Sequence, residues 1–253
     1  MPNLIKKISA GFIGFSLMTS AAFAEEPEPS LSPQQKAEIN KMIRDYILQH
    51  PEILPEAIQI LQSRTKRAML ESNYTRLYED GFSYVGGNPK GDVAIIEFFD
   101  YNCGYCKKSL KTVERLKRMD GNLKVIYKEL PILSETSYTA AKAAMASMMQ
   151  GKYEPFHQAL MRNSGTLTEE RIFQIATQVG LDEQQLAKDM TNPVLERNIS
   201  INHSIAEALQ ITGTPGFVIG ETIVPGALPY EELVKAVERT RSQQEQRRAA
   251  QAD

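Results

Sequence analysis

From residue 81 onward the spacing of apolar and polar positions changes several times, and each change marks an element. Val93-Ala94-Ile95-Ile96-Glu97-Phe98-Phe99 is almost unbroken apolar sequence, rich in β-branched and aromatic residues, and predicts a buried strand. Asp100-Tyr101-Asn102 is a polar turn. From Ser109 to Met119, Leu110, Val113 and Leu116 recur at helical spacing. Residues 123 to 130 predict a second strand. The stretch 134–210 reads as helical throughout. Ser134 is a cap and Gly151 a stop, Thr168 followed by Glu169 and Glu170 a start, Gly180 a stop, and Asp182 a further cap. Residues 217–219 and 222–224 predict a closing hairpin. A last helix starts at Pro229, and its polar end, SQQEQRRAAQAD, is expected to fray.

Before residue 81 the pattern is helical only. Leu31-Ser32-Pro33 is a helix start, with serine as cap and proline in the first turn. Ile39, Ile43, Tyr46 and Ile47 share one face, and His50-Pro51 breaks the helix. A second begins near Pro55 and carries Ile58, Leu61, Leu70, Leu77 and Tyr78 among charged residues and glutamines. Two amphipathic helices of this size need a cover for their apolar sides, either the rest of the chain or another copy. No sustained heptad distinguishes a dimer from a trimer.

The first residues set the compartment. Lys6 and Lys7 precede an uncharged run from Ile8 to Ala24 that ends in Ala22-Phe23-Ala24, and Glu25 and Glu26 follow. This three-part pattern predicts a signal peptide over residues 1–24 and export to the periplasm. The run is short and glycine-bearing for a membrane anchor. Removing those 24 residues and their two lysines from the 253-residue chain leaves 229 residues with a formal charge of −4. That balance gives no reason to expect a nucleic-acid partner.

In an oxidising compartment, the two cysteines carry the chemistry. Cys103 and Cys106 are separated only by Gly104 and Tyr105. As a structural bridge they would close a four-residue loop and contribute only about 2 kcal/mol. A structural zinc site needs four ligands, and His50, His157 and His203 show no ligand spacing. No metal or cofactor is predicted, although two thiolates suffice for copper(I). The third reading is a redox pair. The pair sits at a strand-to-helix junction, where the amides of a helix N-terminus favour an anion. A cysteine so placed can ionise at a pKa of about 3.5–7.5. Cys103 is then the exposed nucleophile and Cys106, one turn further in, the resolving thiol. Lys107 and Lys108 add positive charge nearby. Met145, Met148, Met149 and Met161 read as helix packing in preference to a copper or peptide surface.

The segment EFFDYNCGYCK resembles the DsbA branch of the thioredoxin superfamily. The likeness extends to Glu97, six residues before Cys103, where the family often carries a buried acid, and to Thr214-Pro215 in ITGTPGFVIG, which is similar to the family's cis-proline loop. It implies an α/β thioredoxin fold with a helical insertion at about 134–210 within a domain at 81–240. It also implies a substrate strand pairing with the Thr214 backbone, and Glu97, Thr214, Pro215, Gly104 and Tyr105 as supporting residues. The central dipeptide is Gly-Tyr where the strongest oxidants have Pro-His, and a threonine before the proline is more like the isomerases. IRDYILQHPEILPEAI resembles the N-terminal oligomerisation region of DsbA-like isomerases, including the suppressor-of-copper-sensitivity C type.

The expectation is therefore a helical oligomerisation arm at 25–80, a DsbA-like domain and a polar tail at 241–253. The function expected is disulfide formation and isomerisation in unfolded or misdisulfided exported proteins. A membrane redox partner would reset the thiol pair, and self-association through residues 31–80 would give a dimer or trimer. The alternative is a periplasmic copper(I)-binding or delivery protein. A purely structural assembly module would leave the cysteine pair without a purpose.

Overall fold

The fold is known from a computed structural model, which describes residues 31–252; the expected signal peptide lies outside the described residues. The chain divides into two compact units, one ending at Glu56 and the other starting at Ala57. This division precedes the boundary at 80 expected from the sequence.

In the first unit, α1 runs Pro33–Gln49. Ser32 and Gln35 form a reciprocal capping box, with Pro33 in the first turn. His50 closes the helix. Met42, Ile43, Tyr46 and Leu48 are all exposed. The next helix, α2, spans Ile53–Ser72 and crosses the division.

The second unit is built on a five-stranded mixed sheet. Its strands are β1 (Tyr84–Gly87), β2 (Val93–Phe99), β3 (Leu123–Glu129), β4 (Gly216–Ile219) and β5 (Thr222–Pro225), in the order β1-β3-β2-β4-β5. The β2–β3 pair is parallel and the others are antiparallel. β2 is central, which is why its sequence is apolar on both faces. The crossover between β2 and β3 is α4, Gly104–Met119. Helices α5 (Glu135–Ala146), α6 (Tyr153–Arg162), α7 (Glu169–Gln178), α8 (Glu183–Asp189) and α9 (Pro193–Ala208) follow before β4. Ser134, Thr168 and Asp182 each accept an amide at a helix start. Gly151 and Gly180 take the left-handed conformation at helix ends, φ 65° and 81°.

Strand alternation sorts the core into two layers. Val93, Ile95 and Phe99 of β2 face Cys106, Leu110 and Val113 of α4, together with α5–α8 and the final helix, α10 (Tyr230–Ala252). Ile96 and Phe98 face the other way, toward Leu70, Leu77, Ile205 and Leu209. Leu77 lies on a short helix, α3, Tyr74–Tyr78. Residues 70–80 are thus built into the sheet unit. The buried Lys128 of β3 secures them further by pairing with Asp80 and donating to the Arg76 carbonyl at 2.7 Å.

Two features depart from the pattern reading. β1 has no counterpart in it, because Tyr84-Val85-Gly86-Gly87 is short and half glycine. The C-terminal segment does not fray at residue 241: α10 continues to Ala252. Arg241 grips Asp92 and Asp120 with bonds of 2.7–3.1 Å, Gln244 donates to the Asp92 carbonyl at 3.2 Å, and Arg247 pairs with Glu221. The anchors lie in distant loops, so the local polarity of the segment did not reveal them.

Candidate active site

Cys103 is the N-cap of α4. Its own amide donates to the Asp100 carbonyl at 3.1 Å, and the amide of Cys106 donates to its sulfur at 3.3 Å. The helix begins at Gly104, five residues earlier than the apolar spacing indicated, because its first turn is made by the cysteine motif itself. The polar turn before it is pinned by the buried carboxylate of Asp100. One of its oxygens accepts from the Asn102 amide at 2.7 Å and the Ser137 hydroxyl at 2.8 Å, the other from the amides of Ile132 and Leu133 at 2.9 and 3.0 Å. Asn102 donates to the hydroxyls of Ser134, Thr136 and Ser137. Asp100 was legible only as a turn residue; its four donors come from three separate places in the chain.

Facing the pair is Thr214-Pro215, joined by a cis peptide bond. The Cys103 thiol donates to the Thr214 carbonyl at 3.1 Å. Gly216 next to it is obligatory, since a Cβ there would lie 2.4 Å from a methyl of Ile211. The sulfur-bearing residue is not the exposed group expected: Cys103 is 6% accessible and Cys106 1%. The cis-proline loop lies over the first thiol, and the helix start buries the second. Of the intervening pair, Gly104 has open space around it, and Tyr105 is 64% exposed under the amine of Lys108. Lys107 turns away to the Asn163 carbonyl at 2.9 Å.

The two sulfurs are driven apart electrostatically. The Cys103 thiol is lowered from 9.0 to about 5, first by a hydrogen bond from the Cys106 thiol, with the Thr214 side chain and the amides of Cys106 and Tyr105 adding to it against burial. The Thr214 carbonyl serves the protonated thiol. The Thr214 hydroxyl, buried without a hydrogen-bond partner, is the group suited to the thiolate. Cys106 is pushed strongly upward, chiefly by burial and then by its hydrogen bond to Cys103. Glu97, fully buried on the α4 face of β2, is raised to about 8; burial is the main cause, and the charges of Glu114 and Cys103 add to it.

A third buried acid was not anticipated either. Glu129, at the end of β3, accepts from the hydroxyls of Tyr101 and Tyr153 at 3.0 and 2.8 Å, while its other oxygen has no partner. Burial raises it well above the carboxylate range. Tyr101 also meets Nδ1 of His157 at 3.1 Å. His157 is buried among Phe99, Tyr127 and Tyr153, and burial lowers it to about 3, so it is a packed neutral residue. Met145 and Met161 are in the core, and Met149 is exposed. Among the described residues no group of three His, Cys, Asp or Glu gathers as a metal site.

An ionised cysteine at a helix start, a protonated partner one turn inward and a facing cis-proline on a thioredoxin sheet define a thiol–disulfide oxidoreductase. Residues 94–238 match the DSBA-like thioredoxin domain, and residues 35–68 match the copper resistance protein ScsC N-terminal domain. The chain belongs to the DSBA-like thioredoxin domain family. A thioredoxin-like oxidoreductase from Silicibacter pomeroyi is 44% identical, with a TM-score of 0.66 over 66% of this chain and 97% of that one. Proteus mirabilis ScsC in a transitional conformation is 29% identical, with a TM-score of 0.65 over 84% and 100%. A periplasmic thioredoxin-like protein from Salmonella enterica serovar Typhimurium is 27% identical, with a TM-score of 0.59 over 66% and 94%. The chain spans about a quarter of the length of the curated relatives it matches, among them Na(+)/H(+) antiporter NhaA 1 of Mycobacterium sp., 23% identical over 161 residues. No helix among the described residues is long and apolar enough to cross a membrane.

Proposed function

We propose that this chain forms and isomerises disulfide bonds in exported proteins, in the periplasm, with Cys103 as nucleophile and Cys106 as resolving thiol. The observation that carries the reading is geometric: Cys103 caps α4 with its sulfur 3.3 Å from the Cys106 amide and 3.1 Å from the Thr214 carbonyl of the cis-proline loop, surroundings that lower its thiol while burial raises that of Cys106. In the oxidising direction a substrate thiolate attacks Cys103 of the Cys103–Cys106 disulfide. That bond breaks, and Cys106 leaves as a thiolate that takes the proton held by Glu97. A second substrate thiolate attacks the substrate sulfur of the mixed disulfide, closes the substrate's bridge and releases Cys103 as a thiolate. Two electrons have passed to the protein, and a membrane redox partner removes them. In the isomerising direction the Cys103 thiolate attacks an incorrect bridge, forming a mixed disulfide and freeing one substrate thiolate. A different substrate thiolate then attacks the substrate sulfur of the mixed disulfide, closes a new bridge and releases Cys103 as a thiolate, so the protein departs reduced.

Self-association through residues 31–80 supports the isomerising role, because several sites around one cleft can hold a misfolded chain. The match of residues 35–68 to the ScsC N-terminal domain and the exposed Met42, Ile43, Tyr46 and Leu48 support it. The periplasmic assignment rests on the first 24 residues and on the description of the Salmonella neighbour. Thr214 and Pro215 would present backbone to a substrate strand, with Gly104 and Tyr105 lining its approach.

The test is refolding of scrambled ribonuclease by catalytic amounts of the chain from Glu25 onward. Turnover that Cys103→Ser abolishes supports the reading. Stoichiometric copper(I) binding without turnover would replace it with the copper reading, which the match of residues 35–68 to the copper resistance protein ScsC N-terminal domain favours and which would use the same two sulfurs.

A further inference from the structure

Glu97 is the one charged side chain in the β2 row that faces α4, between Ile95 and Phe99. On α4, Cys106, Leu110 and Val113 are buried with this row, and Glu114 and Lys117 follow Leu110 and Val113 by one helical turn each. Glu114 and Lys117 are nearly as enclosed as the apolar residues beside them, with side chains 14% and 9% accessible. The Lys117 amine holds Glu114 at 3.1 Å, pairs with Glu154 of α6 and approaches the Tyr127 hydroxyl at 3.4 Å. Tyr127 is the register partner of Glu97 on β3. Tyr84 of β1 donates to Glu154 at 2.9 Å, and His157 of α6 packs against the Tyr127 ring. On the β4 side the register partner of Glu97 is Phe217, which has no charge. The groups that bear on Glu97 are therefore Cys103, Cys106, Glu114, Lys117, Tyr127, Tyr84, Glu154 and His157.

We propose that Glu114 and Lys117 are positioning residues for the redox step, whose opposite charges, held together over β2, set how readily Glu97 gives its proton to the departing Cys106 sulfur. The inference rests on the proton role proposed for Glu97. Leu110 and Val113 are buried, and the Lys117 and Glu114 side chains are only 9% and 14% accessible, so their charges are screened less than surface charges. Two enclosed charges of opposite sign act on one carboxyl from the same helix face. Glu114 raises it and Lys117 lowers it. A scaffold role alone would move the carboxyl the same way for both residues, because loosening of the layer admits water in either case.

The experiment compares Glu114→Gln and Lys117→Met in the full chain from Glu25, read by carbon NMR of labelled glutamate and by the pH profile of thiol–disulfide exchange with a model dithiol. The Glu97 titration is assigned by its loss in Glu97→Gln. Glu114→Gln is expected to lower it by about one pH unit and Lys117→Met to raise it by about as much. The exchange profile should follow in the same directions. Lys117→Arg, which keeps the charge, should restore the original profile and controls for misfolding. Shifts of the same sign in both variants, or no shift, overturn the proposal. Exchange whose pH profile ignores both substitutions overturns the positioning role alone, whereas absence of exchange in the unmodified chain refutes the function on which it rests.

Discussion

The sulfur of Cys103 lies 3.1 Å from the carbonyl oxygen of Thr214, although 111 residues separate them. The sheet makes the meeting possible. β2 and β4 are antiparallel neighbours, with Phe98 opposite Gly216. The end of β2 that leads into Cys103 is therefore beside the start of β4, which the cis-proline precedes. Stabilisation of one atom comes from the Cys106 thiol and the helix-start amides, and the unpartnered Thr214 hydroxyl is a further donor suited to the thiolate.

The ionisation of Cys103 should be visible directly. Thiolate absorbance of the reduced protein is expected to titrate near pH 5. Cys106→Ser should raise that midpoint only in part, because serine still donates a hydrogen bond, and Cys106→Ala should raise it further. Thr214→Val should raise it by less than Cys106→Ala. A midpoint unmoved by Cys106→Ala would locate the stabilisation elsewhere.

Among the groups that make the stability of the reduced protein depend on pH, two at the site have opposite sign. Cys103 is depressed from 9.0 to about 5, so its contribution is complete above about pH 9 and is lost as pH falls through about 5. Glu97 is raised from 4.5 to about 8, so its contribution is complete below about pH 4.5 and is lost as pH rises through about 8. Glu97→Gln, neutral at every pH, should gain stability over the parent between pH 4.5 and 8. Urea midpoints across that range provide the measurement, and a gain that shrinks with rising pH would contradict it.

Lys128 has no accessible side chain and relies on Asp80. Asp80→Ala leaves a buried charge without its partner and should cost about 3–5 kcal/mol in urea unfolding. Asp80→Ala combined with Lys128→Met should recover most of that loss. If the double variant is no better than the single one, the cost lies in packing and not in the stranded charge.

The division at Glu56/Ala57 can be checked by truncation. A chain starting at Ala57 keeps Leu70, Leu77 and Asp80 and should retain a cooperative thermal transition. One starting at Gly81 loses all three and should melt at markedly lower temperature or fail to fold. If the arm mediates self-association, the chain from Ala57 should also fall to monomer mass by light scattering, with isomerase activity lost and oxidation of dithiols retained.

Much of the site was legible because its signals are local. The apolar run ending at Phe99, the cysteine spacing and the Thr214-Pro215 pair each stand in one short stretch. Glu97 was legible as an acid stranded in an apolar strand. Asp100, Glu129 and Tyr101 were not, because each looks ordinary beside its sequence neighbours. Their roles come from hydrogen-bond partners 24 to 56 positions away. The burial of Cys103 was also missed, since the loop that covers it belongs to the far end of the chain.

The order of amino acids by itself determined that β2 would be buried, that a helix would start at the cysteines, and that the sulfur at its tip would tend to ionise. These follow from side-chain period and from the unpaired amides of a helix start, which need only a few consecutive residues. The tertiary structure alone decided that Thr214 closes over Cys103, that residues 70–80 are part of the sheet unit, and that Glu114 and Lys117 sit in the same layer as Glu97. Those outcomes depend on which strands pair and which faces meet, and pairing between distant segments leaves no mark on the spacing within either one.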